Sequence, residues 1–210
     1  MKSVAIVGAT GSTGKEVVRL ALLDHYKVVI VARNPAKIQP QKNVSIVRGD
    51  VTDYESLELA FRNVDFVISC FGPANNRKID RLLSIGAGNI VEACEKNQVQ
   101  RFIFMSGFVQ ASYSELSFAT KIMMPIFRLI YKESYNDKVI AERTIQKSKL
   151  EWTIVRASGL NKSFPNGIYK AGIKSKIYFV MLPYADCALC LLDAIDEKEW
   201  VRKIINVGKL

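Results

Sequence analysis

Three glycines spaced three apart, Gly8, Gly11 and Gly14, follow the apolar run Val4-Ala5-Ile6-Val7 and open a stretch of helical spacing. A strand that turns on glycine directly into a helix leaves few foldings open. In such a turn the first glycine permits the tight bend. The second lets the backbone approach a pyrophosphate, and the third lets helix and sheet pack closely. The amides at the helix start, aided by the helix dipole, then hold phosphate oxygens. Thr10, Ser12 and Thr13 add hydroxyl donors to the same turn. Gly14-Lys15 resembles the end of a P-loop, but the glycine spacing is wrong and Glu16 stands where a magnesium-holding Ser or Thr belongs.

The rest of the chain supplies the context that such a turn needs. Val4–Val7, Val28–Val31, Val44–Val47, Val64–Ser69, Phe102–Met105, Trp152–Val155 and Ile204–Val207 are short and β-rich. Several are apolar throughout, as strands covered on both faces of a parallel sheet are. Helical spacing marks Ser12–Asp24, Tyr54–Phe61, Ile79–Lys96, a long segment ending at Ser148, and Tyr184–Ile195. This alternation predicts an α/β fold, a Rossmann-type doubly wound parallel sheet with strand order 3-2-1-4-5-6. The 210 residues suit one domain, with residues from about 157 to 210 forming a small C-terminal substrate-side region. Within it, 164–180 reads as an inserted loop with strand-like Tyr178-Phe179-Val180.

Charge and cysteines narrow the function classes. The net charge is +10, yet the basic residues are scattered, without the runs or aromatic interleaving of a nucleic-acid groove. The scattered charge reads as bland surface excess and no nucleic-acid partner is expected, an anionic membrane or a small anionic ligand such as a dinucleotide being the other partners such a surface can serve. No apolar run reaches the roughly 18 residues of a membrane span, and no signal-peptide pattern follows Met1, so the simplest expectation is a cytoplasmic protein. Cys187 and Cys190 have CxxC spacing but sit in an apolar helical stretch, with no second pair and one histidine in the chain. Core thiols, with no metal site, are the reading.

Cofactor preference follows from the end of the second strand, Val28-Val29-Ile30-Val31-Ala32-Arg33. Sites that prefer NAD place Asp or Glu there to hold the ribose hydroxyls. Here Arg33 takes that place, with Lys37 one helical turn on, and two cations suit the 2′-phosphate of NADP(H).

With these residues in view, the chain resembles the atypical short-chain dehydrogenase/reductases of the NAD(P)H-binding, NmrA-like type, nearest the biliverdin reductase B/flavin reductase branch. The carriers are Val7–Gly14, Val31–Asn34, Arg48–Asp53, Ile68–Gly72, Gly88–Ala93, Arg101–Ser106 and Glu151–Arg156, with a weaker echo at Tyr184–Asp186. The resemblance implies that Asp50 and Val51 edge the adenine, and that Cys70, Phe71 and Gly72 lie along ribose and pyrophosphate. It implies further that Ser106, Arg156, Ala157 and Ser158 lie near the nicotinamide. Asp50 also reads as a turn or cap residue, and Arg156 as the partner of a core carboxylate.

The wider superfamily's Tyr-x-x-x-Lys is not present. Lys138, followed by Val139-Ile140-Ala141-Glu142, matches the family lysine, but Ser134 stands four residues before it. Tyr135 is out of register, and Tyr131 lies two turns away, roughly 10 Å along a helix. Ser158 occupies the place of the branch's histidine, and the single His25 ends the first helix as a surface cap. Ser106 and Lys138 therefore remain as candidate catalytic residues. Two functions fit: hydride transfer from NADPH to a planar small-molecule acceptor such as a flavin or quinone, or NADP(H) binding without turnover in a redox sensor or assembly protein. A monomer or small homo-oligomer suits either. The greasy segment 116–131 reads as a lid, a partner surface, a membrane-touching helix, or a helix packed on the sheet.

Overall fold

A computed structural model describes residues 1–72, 81–178 and 180–209, except for the side chain of Lys37. Its elements are β1 (Ser3–Val7), α1 (Ser12–Leu23), β2 (Lys27–Ala32), β3 (Val44–Arg48), α2 (Tyr54–Ala60), β4 (Phe66–Ser69), α3 (Leu82–Lys96) and β5 (Arg101–Gly107). They continue with α4 (Phe118–Ile130), α5 (Lys132–Lys147), β6 (Trp152–Ala157), β7 (Leu160–Asn161), β8 (Lys170–Ile173), β9 (Leu182–Pro183), α6 (Tyr184–Asp193) and β10 (Lys203–Gly208).

Side-chain alternation along each strand explains the layering. Val4 and Ile6 of β1 enter a core shared with α1 and α6, while Ala5 and Val7 enter one shared with α2, α3 and α5. Phe66 and Ile68 of β4 follow the first pair, and Val67 the second. Because successive strand residues point to opposite faces, an apolar run is buried twice, and helices must cover both sides. The sheet runs β3-β2-β1-β4-β5-β6-β10-β8, parallel except where β8 pairs antiparallel with β10. The expected order 3-2-1-4-5-6 runs from the β3 edge, and β10 and then β8 extend it on the other side.

The inserted region differs from expectation. Its strand is β8 at Lys170–Ile173, not Tyr178-Phe179-Val180; Tyr178 and Val180 are outside any strand, and Phe179 lies outside the described residues. Ile173 and Ala171 are set opposite Ile205 and Val207, so β8 is held by ladder pairing at the sheet edge rather than by its own apolar run. Ile177 makes an isolated bridge to Leu116 instead and packs with Ala111 and Met124 in a small satellite core. The helix expected over 79–96 begins at Leu82, residues 79 and 80 lying outside the described set. Asp186, at the start of α6 and 1% exposed, accepts the Gly167 amide at 3.0 Å and so ties the inserted region back to the sheet.

Cys187 and Cys190 are fully buried in the first core, and burial pushes the Cys187 thiol up to about 12. A thiol held protonated among aliphatics is inert, which agrees with the core reading. Among the described residues no helix is long and apolar enough to cross a membrane.

Candidate functional site

The glycine turn lies where β1 and β4 run side by side, the point at which the strand order reverses direction. In open α/β sheets the crevice beyond the carboxyl ends of such strands receives ligands. Gly8 has φ +83°, and a Cβ there would meet the Phe71 amide nitrogen at 2.7 Å and the Cys70 carbonyl carbon at 2.8 Å. Only glycine allows this approach of the β1 turn to the end of β4. Gly14 is excluded from bearing a side chain too, since its Cβ would fall on the Gly8 carbonyl. That carbonyl accepts the Gly11 amide at 3.0 Å, closing the turn. Gly11 caps α1 without any side-chain hydrogen bond. The first-turn amides of Ser12, Thr13 and Gly14 thus have no side-chain cap of their own. Thr10, Gly11 and Ser12 form an exposed crest, while Thr13 and Gly14 are buried beneath it.

The loops beside the turn are held by close packing. Gly86 of α3 admits Phe71, whose ring would lie 2.7 Å from a Cβ there, and Val51, whose Cβ would lie 3.0 Å away. Asn89 donates to the Val51 carbonyl at 2.9 Å. Phe71 meets Phe104 edge-on at 6.2 Å, whereas Gly72 faces open space. Asp50 Oδ1 accepts both the amide and the hydroxyl of Thr52, at 2.9 and 2.8 Å, so the turn reading of Asp50 holds. Burial alone would raise its carboxyl; the Thr52 hydrogen bonds and the Arg33 cation outweigh burial and hold it below the ordinary range. Arg33 is exposed just past β2. Lys37 ends a short 3-10 turn at Pro35–Lys37, but its side chain lies outside the described residues.

A second constellation forms at the carboxyl ends of β5 and β6. Glu142 of α5, 3% exposed, accepts the Ser106 hydroxyl at 2.6 Å and the Arg156 guanidinium at 2.6 and 3.3 Å. The buried Glu142 meets the core-carboxylate reading of Arg156, and the partly buried Glu115 stands 3.7 Å away as a second ion-pair partner. Ser106 therefore commits its one proton to Glu142 and presents lone pairs elsewhere. Lys138, one turn before Glu142, brings its Nζ within 3.3 Å of where a Gly107 Cβ would stand. Burial pushes its ammonium below the ordinary lysine value, while the Glu142 charge opposes that shift. Gln110 lies on the same side, its Oε1 3.9 Å from that Gly107 position. The neighbouring Asp137 accepts the Leu83 and Ser84 amides at 2.7 and 3.0 Å and caps α3.

Not every candidate converges on this cluster. Tyr135 lies against the Arg128 guanidinium, 5.2 Å from ring centroid to cation, and His25 sits exposed in the left-handed region behind α1. Ala157 and Ser158 are buried, with the Ser158 amide bound to the Val207 carbonyl at 2.9 Å and its hydroxyl without a partner among the described residues. Sequence reading named Ser106, Lys138 and Arg156 but passed over Glu142, the residue that joins the first and third. Its signals were its place at the end of the Val139-Ile140-Ala141-Glu142 run behind Lys138 and the core carboxylate expected for Arg156, neither of which says that the two belong together.

Similarity to known proteins agrees with this architecture. The profile of a family described as NAD(P)H-binding matches residues 8–198. An uncharacterized chloroplastic protein of Arabidopsis thaliana is 29% identical over 220 residues, covering 98% of this chain and 76% of its own. The Photosystem II assembly factor Ycf39 of Cyanophora paradoxa is 26% identical over 161 residues, 75% of this chain and 45% of the factor. The chain thus matches less than half the length of that factor. Of solved structures, an anaerobilin reductase, ChuY, from Escherichia coli O157:H7 has a TM-score of 0.80 at 20% identity, covering 99% and 97% of the two chains. A short-chain dehydrogenase/reductase of Veillonella parvula in complex with NADP has a TM-score of 0.81 at 17% identity, covering 99% and 94%. At such identities the structures speak for the fold. The family profile, spanning nine-tenths of the sequence from the glycine turn onward, identifies the chain as a member of the NAD(P)H-binding Rossmann-type family.

Proposed function

We propose that this protein is an NADPH-dependent reductase of a planar acceptor such as a flavin or quinone, on the biliverdin reductase B/flavin reductase side of its family. The observation that carries the cofactor half is the pairing of an uncapped, glycine-lined α1 start with an exposed Arg33 past β2, where an NAD site would carry a carboxylate. Gly8 and Gly14 let the turn close against β4 and on itself, the exposed Gly11 lets a pyrophosphate approach its backbone, and Thr10, Ser12 and the first-turn amide of Thr13 offer donors to it. Arg33 and Lys37 take the 2′-phosphate, Asp50 and Val51 the adenine edge, and Cys70, Phe71 and Gly72 the ribose side. Ser106, Ala157 and Ser158 border the nicotinamide. When bound, NADPH supplies the hydride. Lys138 holds a cation beside Gly107, where negative charge on a reduced acceptor gains by it. Water supplies the proton, so a flavin or quinone needs no tyrosine acid.

A second reading, an NADP(H) sensor or assembly protein without turnover, is favoured by Ser134 standing where the superfamily has its tyrosine and by Ser106 donating its proton inward to Glu142. It also accords with the likeness to an assembly factor. One measurement tests the cofactor that both readings share, and a second separates the readings. Calorimetric titration of Arg33→Ala is expected to weaken NADP(H) by ten- to a hundredfold, the worth of a charge-assisted phosphate contact of about 1.5–3 kcal/mol, and to leave NAD(H) nearly unchanged. Equal loss for both cofactors removes the reason for naming NADP. NADPH oxidation is then followed with a panel of flavins, quinones and tetrapyrroles. Activity with none of them overturns the reductase. Tight NADP(H) binding and a partner captured in one redox state only then remain as the sensor's signature.

A further inference from the structure

Helix α4 is amphipathic in the inverted sense. Phe118, Ile122, Ile126 and Leu129 recur at intervals of four, four and three, one stripe of a helix, and are 81, 61, 52 and 76% exposed. Ile130 and Met123 adjoin the stripe at 52 and 39%. The opposite face, Thr120 and Met124, is fully buried on Ala111, Leu116 and Ile177. A helix that only packed on the domain would turn its aliphatics inward. Here a stripe of large apolar side chains faces water instead, the kind of patch that on a monomer marks an interaction surface.

The surroundings of this face indicate what covers it. Between residues 116 and 132 there are three cations and no carboxylate, and between 157 and 185 four lysines and no carboxylate. Seven of the net ten positive charges thus come from these two segments. They are joined in space: Ser117 donates to the Ile177 carbonyl at 3.0 Å, and Ile177 donates to the Glu115 carbonyl at 2.8 Å. Exposed Lys174 and Lys176 therefore lead into the N-terminal end of α4, with exposed Lys121 and Lys132 along and beyond it. Half-exposed Tyr178, Val180 and Met181 continue the apolar surface. Against a second copy, the same cations would meet each other.

We infer that α4 and the adjoining lysines dock this protein on an anionic lipid bilayer. The apolar stripe enters the headgroup boundary, and the lysines meet lipid phosphates. Thirteen residues make a helix of about 20 Å, too short to span, so α4 lies in the plane of the surface. The inference stands apart from the choice of acceptor.

Vesicle flotation tests it with the full chain, using phosphatidylcholine alone and an equal mixture with phosphatidylglycerol. The wild type is expected to float with the anionic vesicles, at least tenfold more than with neutral ones, and to be released by salt. Ile122→Glu with Leu129→Glu is expected to abolish flotation at an unchanged melting temperature, since both side chains are already solvent-exposed. Lys174→Gln with Lys176→Gln should lower binding roughly 25-fold, about fivefold per lysine. Three results overturn the inference: no flotation of the wild type, equal binding to neutral and anionic vesicles, or a sedimenting dimer that the glutamate pair turns into monomers.

Discussion

Replacing Glu142 by alanine removes the one group that Ser106 and Arg156 share. The carboxylate is almost fully enclosed, and in its absence Arg156, with a side chain only 12% exposed, keeps Glu115 alone at 3.7 Å. Breaking one side of a buried ion pair costs about 3–5 kcal/mol, because a desolvated charge is left behind. The orphaned Ser106 hydroxyl adds about 1–3 kcal/mol of its own. The remaining Glu115 contact offsets part of this, so a loss near 4 kcal/mol is expected in urea unfolding followed by circular dichroism. Glu142→Ala combined with Arg156→Met should cost less than the sum of the single changes by about 2 kcal/mol or more, since the second substitution removes the stranded charge. Lys138 would also lose the carboxylate that opposes its desolvation, and its ammonium would titrate lower still. A single-mutant loss under about 1 kcal/mol, or strict additivity of the pair, would refute the claim that these three residues act as one buried unit.

Two further outcomes follow from geometry already described. Gly8→Ala combines a left-handed φ, worth about 1–2 kcal/mol, with overlap on the Cys70–Phe71 backbone, worth about 1–3 kcal/mol. A melting temperature lowered by roughly 5–20 °C is expected from calorimetry, and an unchanged one would show that the turn can relax away from β4. Asp50→Asn keeps acceptors for Thr52 but removes the charge. Because the folded-state pKa of Asp50 lies below its ordinary 3.8, its carboxylate stabilises the fold fully above that value, and the gain fades as pH falls through the lowered one. The stability gap between wild type and Asp50→Asn should therefore shrink on going from neutral pH to about pH 3; a gap that stays constant contradicts the shift.

What was legible in the sequence was whatever the chain encodes locally. Periodicity of two and of 3.6, glycines at three-residue intervals and the absence of a carboxylate after β2 lie within a few residues of one another, and each states its own geometry. From Val4–Val7 and its successors came the layers, the strand order from β3 to β6 and the position of the turn. The tertiary structure decided what depends on residues far apart in the chain. Glu142 meets Ser106 across 36 positions and Arg156 across 14, and nothing local distinguishes it from a solvated helix acid. β8 exists because β10 offers it an edge to pair with, while Tyr178 and Val180 lie in no strand. Helix α4 makes the point most sharply. Its greasy sequence left a lid, a partner surface, a membrane-touching helix and a packed helix all open, and which face meets the core depends on what the core leaves room for. Ala111, Leu116 and Ile177 receive Met124, Phe108 receives Phe127, and the aliphatic stripe is left in water.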